Sequence, residues 1–232
     1  LPVVFALDRG GIVGDDGPTH QGLFDFAYLR IIPHMVVMAP KDENELRHML
    51  KTALEHDGPI AFRYPRGTGT GCPLEQEVKA LPIGRAEVVL DGKDVAILAI
   101  GNTVATALEA ARELNARGVS VAVINARFVK PLDEDCICAY AARTRKLVTL
   151  EEHVLAGGFG SAVLELLNNK GLWDVEVACI GIPDVFVEHG APDLLRRKYG
   201  LTAGDVVRAA ETLLQKAKRF RLVTGNRGEK RR

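Results

Sequence analysis

MVVMAPKDENELRHMLKTALEHDGPIAFRY, residues Met35 to Tyr64, changes its period twice. Met35 to Met38 is a short apolar run closed by Pro40, and Ile60 to Tyr64 is another; both read as strands. Between them, Asp42 to His56 carries Leu46, Met49, Leu50, Ala53 and Leu54 at helical spacing, with Asp42 placed as the N-cap. Strand, amphipathic helix and strand in succession are the unit of an α/β layer with parallel strands.

The pattern continues on both sides. Upstream, Val3 to Leu7 reads as a strand and Leu23 to Ile32 as a helical stretch ahead of Pro33. Downstream, the run Pro65 to Pro82 has three prolines, three glycines and no sustained periodicity, and reads as a linker between domains. A second α/β unit then begins. Its strands are expected at Arg85–Val89, Val95–Ile100, Val119–Ile124, Leu147–Leu150 and Val175–Ile180. Its helices are expected at Thr103–Arg117, Asp133–Arg143, Phe159–Asn168, Pro192–Tyr199 and Ala203–Lys218, with Gly118 at a helix C-terminus. The organisation is therefore a first unit over residues 1–66, a linker over 67–82, a second unit over 83–218 and a basic tail over 219–232.

With 47% hydrophobic and 26% charged residues the chain is ordinary for a globular protein. Lys plus Arg equals Asp plus Glu, 30 each, so no bulk field draws it to nucleic acid or to an anionic membrane. The apolar runs are short, and neither a membrane span nor a signal peptide is expected. Cys72, Cys136, Cys138 and Cys179 show no metal-ligand spacing and no Cys-x-x-Cys, which fits reduced thiols in the cytoplasm. Leu1 to Leu7 reads as a strand already under way, so the sequence is expected to have been cut from a longer one.

Three stretches have the residue types for chemistry. Asp8-Arg9 is followed by GGIVGDDGPTHQG, a loop after a strand, where open α/β sheets bind ligands. Gly10, Gly11, Gly14 and Gly17 let the backbone approach a ligand, and Asp16 and His20 are expected on one wall, the acid orienting the imidazole. The plain alternative is a long turn rich in turn formers. Phe62-Arg63-Tyr64-Pro65-Arg66-Gly67 ends a strand at the same sheet edge, so Arg9 and Arg66 together suit an anion such as phosphate; a linker salt bridge is the alternative for Arg66. Glu151-Glu152-His153 before LAGGFGSAV puts acids and a glycine turn at a helix start, either an anion site or close packing of helix on strand.

LDRGGIVGDDGPTHQGLFDFAYLRIIPHMVVMAPKDENE, GPIAFRYPRG, LPIGRAEV, FVKPLDE and EEHVLAGGFGSAV together resemble the 1-deoxy-D-xylulose-5-phosphate synthase family of transketolase-like, thiamine-diphosphate-dependent enzymes. The resemblance runs from Leu1 to about Leu214, and Gly10 stands where that family more often has alanine. It implies the second half of a pyrimidine-binding domain, then a transketolase C-terminal-like three-layer α/β/α domain with a mostly parallel sheet. It implies a transferase that condenses pyruvate with D-glyceraldehyde 3-phosphate, losing carbon dioxide, at the head of isoprenoid and thiamine synthesis. His20 and Asp16 match the family's catalytic pair, and Arg9 and Arg66 match the residues that hold the aldehyde's phosphate. Thiamine diphosphate and Mg2+ are implied, with their ligands expected outside this chain, so the chain alone is expected to be inactive. A homodimer in the cytoplasm, or in a plastid if the source is a plant or alga, is implied as well. Two other readings stay open: a split transketolase-like subunit that needs a partner chain, and a non-catalytic interaction module.

Overall fold

The computed structural model describes residues 1–225; the end of the basic tail, 226–232, lies outside the described residues. The first unit contains β1 (Val4–Leu7), α1 (Asp25–Arg30), β2 (Val36–Met38), α2 (Glu43–Glu55) and β3 (Ile60–Arg63). β1 and β2 both pair with β3 in parallel. Asp42 caps α2 as its sequence position predicts, its side chain accepting from the Glu45 amide at 2.7 Å. α1 is shorter than its sequence pattern. The Leu23 carbonyl accepts from the Val154 amide of the second unit at 3.0 Å, so the helix starts only at Asp25.

The second unit follows as β4 (Glu87–Leu90), β5 (Val95–Ala99), α3 (Thr103–Ala116), β6 (Val121–Asn125), β7 (Phe128–Lys130), α4 (Glu134–Thr144), β8 (Lys146–Val154), α5 (Phe159–Asn169), β9 (Glu176–Ile182), α6 (Pro192–Lys198) and α7 (Ala203–Gly225). Its five-stranded sheet has the order β4-β6-β5-β8-β9, and all neighbours are parallel except β4 and β6. Alternate residues of β5 face opposite layers. Val95, Ile97 and Ala99 join Val104, Ala107 and Leu114 of α3 and Val206, Ala210 and Leu213 of α7. Ala96 and Leu98 join Ile137 and Ala141 of α4 and Phe159 and Val163 of α5. A central sheet buried on both faces explains why these strands are continuous apolar runs.

Three features were not legible as motifs. β7 leaves the second unit and pairs antiparallel with β2, extending the first sheet to the order β1-β3-β2-β7. The stretch 67–82 forms neither helix nor strand, yet it is lashed along α2: Glu43 accepts from the amides of Thr70, Gly71 and Cys72, and the Leu81 amide donates to Thr52 Oγ1. α7 runs on to Gly225, past the Lys218 at which the sequence pattern ended it, so the first part of the basic tail is helical. Among the described residues no helix is long and apolar enough to cross a membrane, and the four cysteines are free.

Candidate functional site

β1 and β3 are in register, Leu7 opposite Arg63, so the residues just beyond them leave from one sheet edge. Arg9 takes a left-handed conformation (φ 59°), and the Gly10 amide donates to the Tyr64 carbonyl at 2.8 Å. Gly11 and Gly22 then exchange amide–carbonyl hydrogen bonds at 2.8 and 2.9 Å, which pinches residues 12–21 into a closed loop. A Cβ on Gly22 would stand 2.0 Å from the Arg9 carbonyl oxygen, so only glycine closes this neck.

The loop places Asp16 between the two arginines. Its carboxylate accepts from Arg9 Nε at 2.8 Å through Oδ2, and from Arg66 Nη1 through Oδ1. The Arg9 hydrogen bond holds the Asp16 carboxyl below the ordinary carboxylate range. Arg9 also donates to Asp8 at 2.7 Å. Each guanidinium keeps free N–H groups, so both can fork onto an anion while Asp16 fixes their planes.

Arg66, 50 residues on from Asp16, is thus brought to Arg9 and Asp16. The expectation that Asp16 orients His20 is corrected. Asp16 is taken by the arginines, and the His20 ring, exposed at the loop's end, has Nδ1 3.0 Å from Thr19 Oγ1. His20 instead shares a cavity of about 370 Å³ with Arg9, Asp8 and Tyr28. A larger cavity, about 640 Å³, has Arg66 on its wall together with Tyr64, Lys41 and Arg196. Of the four candidate residues, Arg9 and His20 line the smaller cavity and Arg66 lines the larger, and the Asp16 carboxylate ties the arginine of one cavity to the arginine of the other.

The Glu151-Glu152-His153 stretch lies inside β8, which continues through all three residues, and all three are buried. No free anion site remains at the start of α5. Glu151 itself accepts from the Phe159 and Gly160 amides at 2.6 and 2.8 Å, and burial pushes its carboxyl up to about 7 against the pull of those donors. His153 donates from Nδ1 to the Val154 carbonyl at 2.7 Å and accepts at Nε2 from the Ala27 amide at 3.3 Å. Burial holds it neutral, lowering its pKa to about 4. Beside it, Arg63 pairs with Asp25 at 2.6 Å, donates to the Gly22 and Glu152 carbonyls at 2.9 Å, and lies 3.9 Å over the Phe26 ring. This buried polar cluster joins the neck of the loop, the start of α1 and the end of β8. Among the described residues no group of three or more His, Cys, Asp or Glu side chains is arranged to hold a metal ion.

Residues 84–206 match the family described as transketolase, C-terminal domain, and residues 1–70 match transketolase, pyrimidine binding domain. This chain belongs to the transketolase family. It is 68% identical over 222 residues to the 1-deoxy-D-xylulose-5-phosphate synthase of Desulforudis audaxviator (strain MP104C), covering 96% of this chain and 35% of that protein. It is 63% identical over 209 residues to the synthase of Pelotomaculum thermopropionicum (strain DSM 13744 / JCM 10971 / SI), covering 90% and 33%. The chain spans about a third of the length of these curated relatives. A solved split-gene transketolase, described as an inactive beta4 tetramer, superposes with a TM-score of 0.80 at 37% identity, covering 91% of this chain and 66% of that one.

Sequence reasoning gave no role to Tyr28, and none of their own to Asp8 and Gln21 within the first candidate stretch. Tyr28 and Asp8 line the cavity with His20, and Gln21 ties the loop by accepting from the Val13 amide at 2.8 Å and donating to the Glu188 carbonyl at 3.2 Å. A signal for Tyr28 was present. Phe24, Tyr28 and Ile31 form a stripe at helical spacing, distinct from the buried stripe of Phe26 and Leu29, and all three are exposed.

Proposed function

We propose that this chain supplies the aldehyde-binding side of a 1-deoxy-D-xylulose-5-phosphate synthase, condensing pyruvate with D-glyceraldehyde 3-phosphate. The observation that carries this reading is the Arg9–Asp16–Arg66 bridge, which holds two guanidinium groups at one sheet edge, with His20 in the cavity that Arg9 lines. Two arginines suit the dianionic phosphate of the aldehyde, whose binding energy is remote from the bond being made. His20, exposed in the same cavity as Arg9, is placed to hand a proton to the aldehyde oxygen as the new carbon–carbon bond forms. Asp16, which accepts from both, orients the arginines. Thiamine diphosphate supplies the electron sink for pyruvate decarboxylation. We place that cofactor and its Mg2+ on residues other than those described here.

Because the chain spans about a third of the related synthases, the activity in this reading belongs to a larger assembly, cytoplasmic, or plastidic if the source is a plant or alga, and built as a homodimer. The exposed Phe24, Tyr28 and Ile31 stripe, with Phe186 against Phe24 at 6.0 Å between ring centroids, is apolar surface of the kind a subunit contact covers. A second reading, a separate transketolase-like subunit with a partner chain, is favoured by the likeness to a split-gene transketolase. The test is deoxyxylulose phosphate formation by the whole protein that carries this sequence, with residues 1–232 alone assayed beside it. His20→Ala is expected to lower kcat by about a hundredfold, in the range of general-acid catalysis. Wild-type protein without this activity, or a His20→Ala variant with normal kcat, would end the reading. Activity regained only on adding a second chain would select the split form.

A further inference from the structure

The second unit has a place where a ligand would be expected, and something else fills it. In the order β4-β6-β5-β8-β9, the chain passes from β5 to β6 on one side and then crosses to β8 on the other. The carboxyl ends of β5 and β8 therefore flank a topological switch point, the crevice in which open α/β sheets bind ligands. Glu152, on β8 and 1% exposed, lies in that crevice. Asn102, just after β5, donates to its Oε2 at 2.9 Å, and Arg196 of α6 donates to its Oε1 at 2.7 Å.

The remaining side of the carboxylate is closed by Gly11 of the substrate loop. A Cβ on Gly11 would stand 2.2 Å from Glu152 Oε2, so the backbone is packed directly onto the acid. The loop is fastened to the same domain on both sides of this contact. Ile12 and Leu23 are buried in the core formed by β5, α3 and α7. Gly14 sits against Pro192 and the Gly190 carbonyl, where a Cβ would come within 2.7 Å. Each Glu152 oxygen accepts a hydrogen bond from its own domain, and its contact with the loop is with the backbone next to Arg9.

We propose that Glu152 is a positioning residue. Through Gly11 it sets where Arg9 and Asp16 stand, and the C-terminal domain uses its ligand crevice to hold the substrate loop of its neighbour. Glu152 and Arg196 form an ion pair at 2.7 Å, but the positioning itself needs only shape and hydrogen bonds. Gln can keep it, since a Gln amide can accept from Arg196 and donate to a flipped Asn102 carbonyl, whereas Ala cannot. The catalytic consequence rests on the synthase reading; the loop coupling does not.

The test is amide hydrogen exchange on the 232-residue chain, read at Gly11, Val13 and Gly22 against Ala107 and Leu114 in α3. Glu152→Ala is expected to raise exchange at the three loop amides by about tenfold while the α3 amides keep wild-type rates, and Glu152→Gln to stay near wild type. If Glu152→Ala does not fold, Asn102→Ala must give the same loop-restricted rise. Unchanged loop amides, a rise spread equally over α3, or a Gln variant as loose as Ala overturns the proposal. In the whole protein, Glu152→Ala should raise KM for glyceraldehyde 3-phosphate more than it lowers kcat, with Gln restoring it. A loosened loop in a protein that makes no deoxyxylulose phosphate leaves the positioning intact and removes only the synthase reading.

Discussion

Arg63 and Asp25 meet at 2.6 Å, both side chains buried, at the junction of the two domains. Arg63 comes from the last position of β3 and Asp25 from the first of α1, and the same guanidinium reaches the Glu152 carbonyl of β8. Removing one member leaves a charge without its partner in a desolvated site. Asp25→Ala is expected to cost about 3–5 kcal/mol in urea unfolding. Arg63→Met in the same background should return part of that loss, because no orphaned charge remains. A loss below 1 kcal/mol for Asp25→Ala, on the scale of an exposed pair, would mean that water reaches the cluster.

The neighbouring Glu151 and His153 titrate in opposite senses. Glu151 has its folded-state pKa raised to about 7, so its stabilising contribution is full below its unfolded value near 4.5 and is lost as pH rises through 7. His153 is lowered to about 4, so its contribution is full above 6.5 and is lost as pH falls through 4. The two slopes oppose each other between about pH 4.5 and 6.5. Glu151→Gln removes one of them. Its melting temperature minus that of wild type should climb from pH 4.5 to 7 and level off above. A difference that does not vary with pH would show that Glu151 stays ionised throughout, held by its two amide donors.

The alternation of strand and helix was legible because each period is carried by several residues: Leu46, Met49 and Ala53 mark α2 whatever surrounds it, and Asp42 marks its start. β7 was not legible. Phe128 to Lys130 is three residues long, with pairing supplied by β2 from the other unit, and no local pattern announces a partner so distant. At the candidate site, Arg9 and Arg66 could be paired from the sequence because parallel strands deliver their carboxyl ends to one edge. Asp16 could not be assigned a partner the same way. Its position four residues before His20 suggested the imidazole, but the left-handed Arg9 and the Gly11–Gly22 neck turn it toward the arginines instead. Of the two readings of the acids after Leu150, close packing of helix on strand is the one found, but the strand's end at Leu150 was too early for a related reason: charged residues inside a buried strand are stable only with partners from other segments, which a linear pattern does not contain.

A stretch such as GGIVGDDGPTHQG has the composition of a surface turn, and its behaviour under truncation separates the two possibilities. Ile12 is 1% exposed and belongs to the core of the C-terminal domain. Ile12→Ala should cost about 2–5 kcal/mol in denaturant midpoint, as for a core cavity. Thr19→Ala, at the exposed tip, should stay within about 0.5 kcal/mol of wild type. Equal, small effects at both positions would show that the loop is not anchored in the core.

Arg9 and Arg66 separate charge from geometry. Lysine keeps the positive charge but loses the planar fork, and with it the simultaneous contact to Asp16 and an anion. Arg66→Lys in the whole protein is expected to raise KM for glyceraldehyde 3-phosphate on the order of tenfold, equivalent to about 1.4 kcal/mol of lost binding. KM for pyruvate should stay at its wild-type value. D-Glyceraldehyde, which lacks the phosphate, makes the control: its kcat/KM should be low in wild type and unchanged by Arg66→Lys or Arg9→Lys. If both lysine variants slow the phosphate-free aldehyde as much as the phosphorylated one, the two arginines act on the loop's structure and the phosphate is held elsewhere.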